Sequence, residues 1–178
     1  RFEEVGEKIY FIPMGGSGEV GIPGYYDCAL EIAEQAAALG MSKLRLLVSV
    51  GSMGTYMGLF TGIHDMQQHP DSQSFPEISL EGIAIAPFYD DPVSHATAYY
   101  DKVREFYRLP FHAAPSDFNI RSDYTFDAYN NPVREVREAV YYLARKEGIV
   151  LDPCYTGKAF YGLLDLVKTG EIKKGETV

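Results

Sequence analysis

The chain has 178 residues and carries 16 Lys and Arg against 25 Asp and Glu, a formal net charge of -9, which argues against a nucleic-acid surface and points to a small-molecule partner. At 46% hydrophobic content it is long enough to bury one compact α/β core, while Cys28 and Cys154 are too few for a disulfide framework. No apolar run is long enough to span a bilayer and the start lacks the apolar core of a signal peptide, so the expected compartment is cytoplasmic.

In chain order, Ile9-Tyr10-Phe11-Ile12 reads as a short strand ended by Pro13 and followed by the turn Gly15-Gly16-Ser17-Gly18. An amphipathic pattern from Tyr25 to Leu39, closed by Gly40, predicts a helix. Leu44 to Val50 is the next strand and Tyr56 to Ile63 the next helix. Ile78 to Ile85 forms a third strand, after a polar loop from His69 to Pro76. Asp90, Asp91 and Pro92 make a turn, and Ser94 is placed to cap a helix running to Tyr107. From Leu109 to Asn131 prolines, aromatics and aspartates mix, which reads as loop with one strand near Phe118 to Ile120. Pro132 opens a helix to Glu147, Gly148 stops it, Ile149-Val150-Leu151 is a fourth strand candidate, and a last helix spans Gly157 to Thr169. This alternation predicts an α/β fold with a mostly parallel sheet and helices on both faces, its ligands at the carboxyl ends of the strands. Because the chain begins at Arg1, enters a strand-like run almost at once and stops just past Lys174-Gly175, we read it as an internal piece of a longer subunit.

The most informative stretch is Leu46 to Thr55. An apolar run stops in Gly51-Ser52-Met53-Gly54-Thr55 and a helical pattern begins at Tyr56. Such a loop exposes backbone N–H groups at a helix N-terminus, where partial positive charge holds a phosphate without any lysine or arginine. That suits an acidic chain.

Ile12-Pro13-Met14-Gly15-Gly16-Ser17, Gly24-Tyr25, Gly51 to Thr55 with Gly58, and Glu147-Gly148-Ile149 through Asp152-Pro153-Cys154-Tyr155-Thr156-Gly157-Lys158-Ala159 resemble one known family, in the same order and over nearly the whole chain. It is the D-cysteine desulfhydrase and 1-aminocyclopropane-1-carboxylate deaminase family, pyridoxal-phosphate enzymes with the tryptophan synthase β-subunit-like fold. The last motif is the most specific of the four. The resemblance implies that residues 1–178 are mainly the cofactor-binding large domain, with part of the smaller domain assigned within 1–65, and that the intact subunit is a homodimer.

The resemblance further implies that Gly51, Ser52, Met53, Gly54 and Thr55 hold the cofactor phosphate, that Thr156 faces the pyridine nitrogen, and that Tyr155 lies by the ring and takes part in proton movement. Tyr129 occupies the place of a second active-site tyrosine, with Tyr124 as a competitor, and Ser17 lies near the substrate carboxylate. The deaminases resemble one another in carrying glutamate where Thr156 stands. A hydroxyl there leaves the ring nitrogen neutral, so β-elimination from a small amino acid such as D-cysteine is preferred over cyclopropane opening. Deamination of 1-aminocyclopropane-1-carboxylate, loss of sulfite from cysteate, and a non-catalytic phosphate-ligand or assembly module stand as alternatives.

Two departures from the family pattern are visible: Met53 replaces a usual glycine, which makes positive φ costlier in the phosphate loop, and Gly18-Glu19-Val20 puts Glu19 near an anionic ligand. The family's Schiff-base lysine lies upstream of Gly-Gly-Ser, so this piece alone is expected to be inert. Lys158 matches another position and reads as a solvated or structural lysine. Cys154 reads as a small buried hydrophobe and Cys28 as core. His64, Asp65 and His69 span a helix end and a polar loop, so no metal site is assigned. Gly157-Lys158-Ala159 lacks the P-loop spacing, and neither glycine loop has the dinucleotide fingerprint.

Overall fold

The computed structural model describes residues 5–69, 75–131 and 133–178. Three strands, β1 (Lys43–Val50), β2 (Glu77–Ala84) and β3 (Ile120–Arg121), form one parallel sheet in the order β1-β2-β3. Lys43 pairs with Glu77 and Val50 with Ala84, so β1 and β2 end level with one another, and β3 joins at Gly82 opposite Ile120. The helices are α1 (Ile22–Ala38), α2 (Gly54–Gln68), α3 (Pro92–Tyr107), α4 (Arg134–Glu147) and α5 (Thr156–Thr169).

Helices cover both faces, as the alternation requires. Leu44, Leu46, Val48 and Val50 of β1, with Ile78 and Leu80 of β2, pack on α2 in two clusters joined by Ala29 and Ala33 of α1 and by Tyr100 and Val103 of α3. The alternate side chains turn to α5, where a side chain on Gly162 would meet Ile83. Glu81 points the same way and is buried, held by Arg121 and by Arg45 at 3.3 Å. Those arginines reach on to Glu171 (2.5 Å) and Glu176 (2.9 Å), which fastens the C-terminal tail to the sheet.

Several expected elements differ. Ile9 to Ile12 is not a strand: it finds no partner among the described residues, and its side chains lie exposed. Ile149 to Leu151 is likewise irregular, with Ile149 and Val150 exposed. A strand stands only by laddering to a neighbour, and neither run has one. Asp91, not Ser94, caps α3, accepting from the N–H groups of Val93 (3.1 Å) and Ser94 (3.0 Å). α1 starts at Ile22 because Pro23 fits a helix's first turn. The strand expected near Phe118 forms two residues later, as β3. Pro132 and most of the loop from His69 to Pro76 lie outside the described residues. No helix among the described residues is long and apolar enough to cross a membrane.

α1 and α2 touch through a glycine seam. A Cβ on Gly58 would lie 2.5 Å from the Cβ of Tyr25, and one on Gly62 2.8 Å from the Cβ of Ala29 and from the carbonyl oxygen of Tyr26. Alanine at an unhindered helical glycine stabilises by about 1 kcal/mol, whereas overpacking a tight contact costs about 1–3 kcal/mol. Here the obstacles are a Cβ and a backbone carbonyl, which cannot swing aside. Gly62→Ala is therefore expected to destabilise by up to about 2 kcal/mol net, read as a lowered urea midpoint at unchanged slope; a raised midpoint would show that the seam is loose.

Candidate active site

β1 ends at Val50 and the chain turns through Gly51, Ser52 and Met53 into α2. Met53 adopts a left-handed conformation, φ 71°, as the residue before the helix. For a residue with a Cβ this costs about 1 kcal/mol, while burying a methionine side chain contributes about 2 kcal/mol. Met53 is 2% exposed, so packing outweighs the strain and the loop keeps its positive φ without glycine.

The loop is clasped from two sides. The Ser17 hydroxyl accepts from the Gly54 N–H (3.1 Å) and donates to Ser52 Oγ (2.7 Å), capping α2 where Met53 has no oxygen to offer. A Cβ on Gly54 would stand 2.6 Å from Ser17 Oγ, and one on Gly51 2.8 Å from the Tyr155 hydroxyl. Ser17 therefore braces the loop and is not part of the cavity wall.

Asp152 organises the segment that carries Tyr155 and Thr156. Its carboxylate accepts from the N–H groups of Cys154 (2.8 Å), Tyr155 (2.6 Å) and Thr156 (3.0 Å) and from the Thr156 hydroxyl (2.6 Å), closing the first turn of α5. Burial pushes the Asp152 carboxyl up, but these hydrogen bonds, led by the Thr156 hydroxyl, outweigh it and hold the pKa at about 2. An ionised carboxylate only accepts, so the Thr156 hydroxyl points its proton at Asp152 and leaves its oxygen as an acceptor.

Gly51 to Thr55, Tyr155 and Thr156 line one cavity of about 480 Å³, whose far wall is apolar: Leu143, Leu151, Phe160 and Leu163. None of its lining residues is charged. Tyr129 stands beside it, its ring edge-on to Tyr155 with centroids 5.7 Å apart. A hydrogen bond to the Tyr155 side chain holds the proton on Tyr129 and lifts its pKa to about 12. Tyr124 turns away, donating to Asp165 (3.1 Å) on α5. Glu19 is half-buried and outside the cavity lining.

Lys158 is not solvated. It is fully buried, and its ammonium donates to the carbonyls of Ile85 (2.6 Å), Thr125 (2.8 Å) and Ala128 (2.8 Å). Between the last two, Phe126 and Asp127 are both left-handed, at φ 51° and 62°. Cys154 is half-buried, and its thiol donates to the Tyr129 carbonyl (2.9 Å), so it ties a loop as well as filling space. Cys28 is half-buried at the edge of the apolar core. Asp65 accepts from the Tyr26 hydroxyl (2.6 Å), and His64 hydrogen bonds to the His112 carbonyl (3.0 Å). Sequence reasoning took Asp152 for the end of a strand. An aspartate four residues ahead of a threonine, just before a helix, carried the capping signal that was there to be read.

A parallel sheet whose carboxyl end delivers a glycine loop and helix N-termini to one uncharged cavity is an α/β architecture suited to a small phosphorylated ligand. The chain belongs to the pyridoxal-phosphate dependent enzyme family, whose model matches residues 1–178. It is 37% identical over 172 residues to a Pyrococcus furiosus protein provisionally named 1-aminocyclopropane-1-carboxylate deaminase, which covers 97% of this chain and 49% of that relative. It is 37% identical over 166 residues to a D-cysteine desulfhydrase of Klebsiella pneumoniae, covering 93% of this chain and 47% of the relative. A crystal structure of an ACC deaminase homologue superposes with a TM-score of 0.76 at 31% identity, over 97% of this chain and 49% of that one. The chain thus spans about half the length of the curated relatives it matches.

The cavity fits the family's cofactor. Its volume suits a molecule of that size, and the loop at the head of α2 supplies first-turn N–H groups that lack carbonyl partners one turn back, together with the hydroxyls of Ser52 and Thr55.

The low pKa of Asp152 makes a pH prediction. A carboxyl depressed from 3.8 to about 2 on folding stabilises the fold fully above pH 4, and that contribution drains away as pH falls through 2. Asp152→Asn is expected to remove this acid sensitivity and to cost about 1 kcal/mol at neutral pH through the weakened cap. Urea midpoints between pH 2 and 7 for the two proteins check it; parallel curves would refute the assignment.

Proposed function

We propose that the protein is a pyridoxal-phosphate-dependent lyase that eliminates the β-substituent of a small amino acid such as D-cysteine, releasing sulfide, pyruvate and ammonia. The observation that carries this reading is the chemistry of the cavity wall across from the α2 terminus: a threonine hydroxyl is present there and no carboxylate lines the cavity. When bound, the cofactor supplies an electron sink for the carbanion that forms at the substrate's α-carbon. A neutral partner at its ring nitrogen makes that sink moderate, which suffices to expel a good leaving group such as a thiolate but not to open an unactivated cyclopropane.

Each residue then has a part. Gly51 to Thr55 bind the phosphate with N–H groups and the Thr55 hydroxyl, fixed from behind by Ser17. Thr156 is the residue assigned to the ring nitrogen, its hydroxyl held in place by Asp152. Tyr155, its hydroxyl against Gly51, is the residue assigned to proton movement at the substrate, and Tyr129 packs edge-on against its ring. The apolar wall of Leu143, Phe160 and Leu163 excludes water from the exchange. A cytoplasmic site of action accords with free, unpaired Cys28 and Cys154.

The test is a panel of D- and L-cysteine, cysteate and 1-aminocyclopropane-1-carboxylate with the cofactor-loaded full-length protein, Schiff-base lysine included. Sulfide and pyruvate in equal amounts from D-cysteine are expected; a four-carbon keto acid from the cyclopropane with no sulfide from cysteine would overturn the reading. Thr55→Ala removes one hydrogen bond to a charged group and is expected to weaken cofactor binding about tenfold, measured by equilibrium dialysis against pyridoxal phosphate. Unchanged affinity would place the phosphate elsewhere.

A further inference from the structure

Lys158 is the one lysine among the described residues that is fully buried, and no carboxylate pairs with it there. Its partners are three backbone carbonyls, from the end of β2 (Ile85) and from the loop after β3 (Thr125 and Ala128). Burial pushes the Lys158 ammonium's pKa down, but three acceptors at 2.6–2.8 Å need three N–H donors, which an ammonium has and a neutral amine does not. The Phe126 ring lies 5.8 Å from the same nitrogen.

What the ammonium holds is a loop that would not keep its shape unaided. Phe126 and Asp127 are consecutive left-handed residues, neither of them glycine, and the captured carbonyls of Thr125 and Ala128 flank them on either side. Such a conformation persists only where its surroundings over-determine it. The Ala128 carbonyl belongs to the peptide unit that leads into Tyr129, and the Tyr129 carbonyl in turn accepts from the Cys154 thiol (2.9 Å). Both peptide units around Tyr129 are therefore tied to the segment that carries Tyr155, one by Cys154 and one by Lys158.

We infer that Lys158 is a positioning residue: its ammonium is a tethered cation in a three-carbonyl cage that fixes Tyr129 against Tyr155, and with the side chain removed the cage binds a small monovalent cation such as methylammonium. The consequence for catalysis rests on the lyase reading, in which Tyr129 supports Tyr155; the cage itself does not. A ring of carbonyl oxygens replaces the hydration shell of a compact monovalent cation, and the volume freed by shortening Lys158 is that of the alkylammonium it lost.

The experiment uses the cofactor-loaded full-length protein, Schiff-base lysine included, in three forms: native, Lys158→Ala and Lys158→Met. Methionine fills the space without donors. Both variants are expected to raise amide hydrogen exchange across residues 122–131 by about tenfold or more while β1 and α2 keep their protection. Methylammonium is expected to restore protection to Lys158→Ala along a saturating curve, and to do nothing for Lys158→Met, whose cage is filled; tetramethylammonium is too large to help either. Sulfide release from D-cysteine is followed in parallel, with kcat falling about tenfold and KM nearly unchanged, and kcat returning with methylammonium. Restored protection without any sulfide release from the native protein supports the cage and sinks the lyase reading. Native-like protection in both variants, or no saturable response to methylammonium, overturns the cage. If neither variant folds, nitrogen-15 lysine spectra of the native protein decide: one ammonium with slowly exchanging protons at neutral pH supports the assignment, and its absence overturns it.

Discussion

The turn from β1 into α2 is held at distances that only glycine permits, and everything functional is arranged around it. Ser17 presses on Gly54 from one side and the Tyr155 hydroxyl on Gly51 from the other, each closer than a side chain would allow. Those contacts join parts of the chain that are far apart in sequence, residues 17, 51–54 and 155, at one end of one sheet. The level ending of β1 and β2 sets the platform, since the Ile85 N–H continues the ladder to the Val50 carbonyl at 3.0 Å just where the loops begin. Cavity, tyrosine pair and carbonyl cage all stand on that platform.

Much of this was legible from residue types. The runs Leu44 to Val50 and Ile78 to Ile85 announced parallel strands, half-buried along β1 and buried over the second half of β2, and the glycine loop before Tyr56 announced a helix N-terminus. What failed were the short apolar runs. Ile9 to Ile12 and Ile149 to Leu151 have strand-like composition, but pairing is a property of neighbours, and periodicity over four residues says nothing about whether a neighbour exists. The cap of α3 slipped from Ser94 to Asp91 for a related reason: adjacent Asp, Pro and Ser all favour a helix start, and only geometry selects one.

The candidate site divides in the same way. Gly51 to Thr55, Tyr155 and Thr156 were named from motif order, and they come together around one cavity. Ser17 was named for the substrate; its hydroxyl bonds the Gly54 amide and Ser52, and it is not among the residues lining the cavity. Lys158 was read as either solvated or structural, and its burial decides for the structural half of that reading. Its three partners are backbone carbonyls of residues 85, 125 and 128, and carbonyls leave no trace in composition. Sequence motifs report side chains well; what they cannot report is which main-chain oxygens the fold gathers into one place.

Two helix N-termini, those of α2 and α5, open on the same cavity, and they are not electrically alike. That of α5 is already neutralised by Asp152, ionised down to about pH 2, whereas α2 is capped only by an uncharged serine. An asymmetric molecule with one anionic tail thus has a single berth for it, and a second orientation would set like charges face to face. With no ionic side chain in its lining, the cavity is left with two electrically unlike ends.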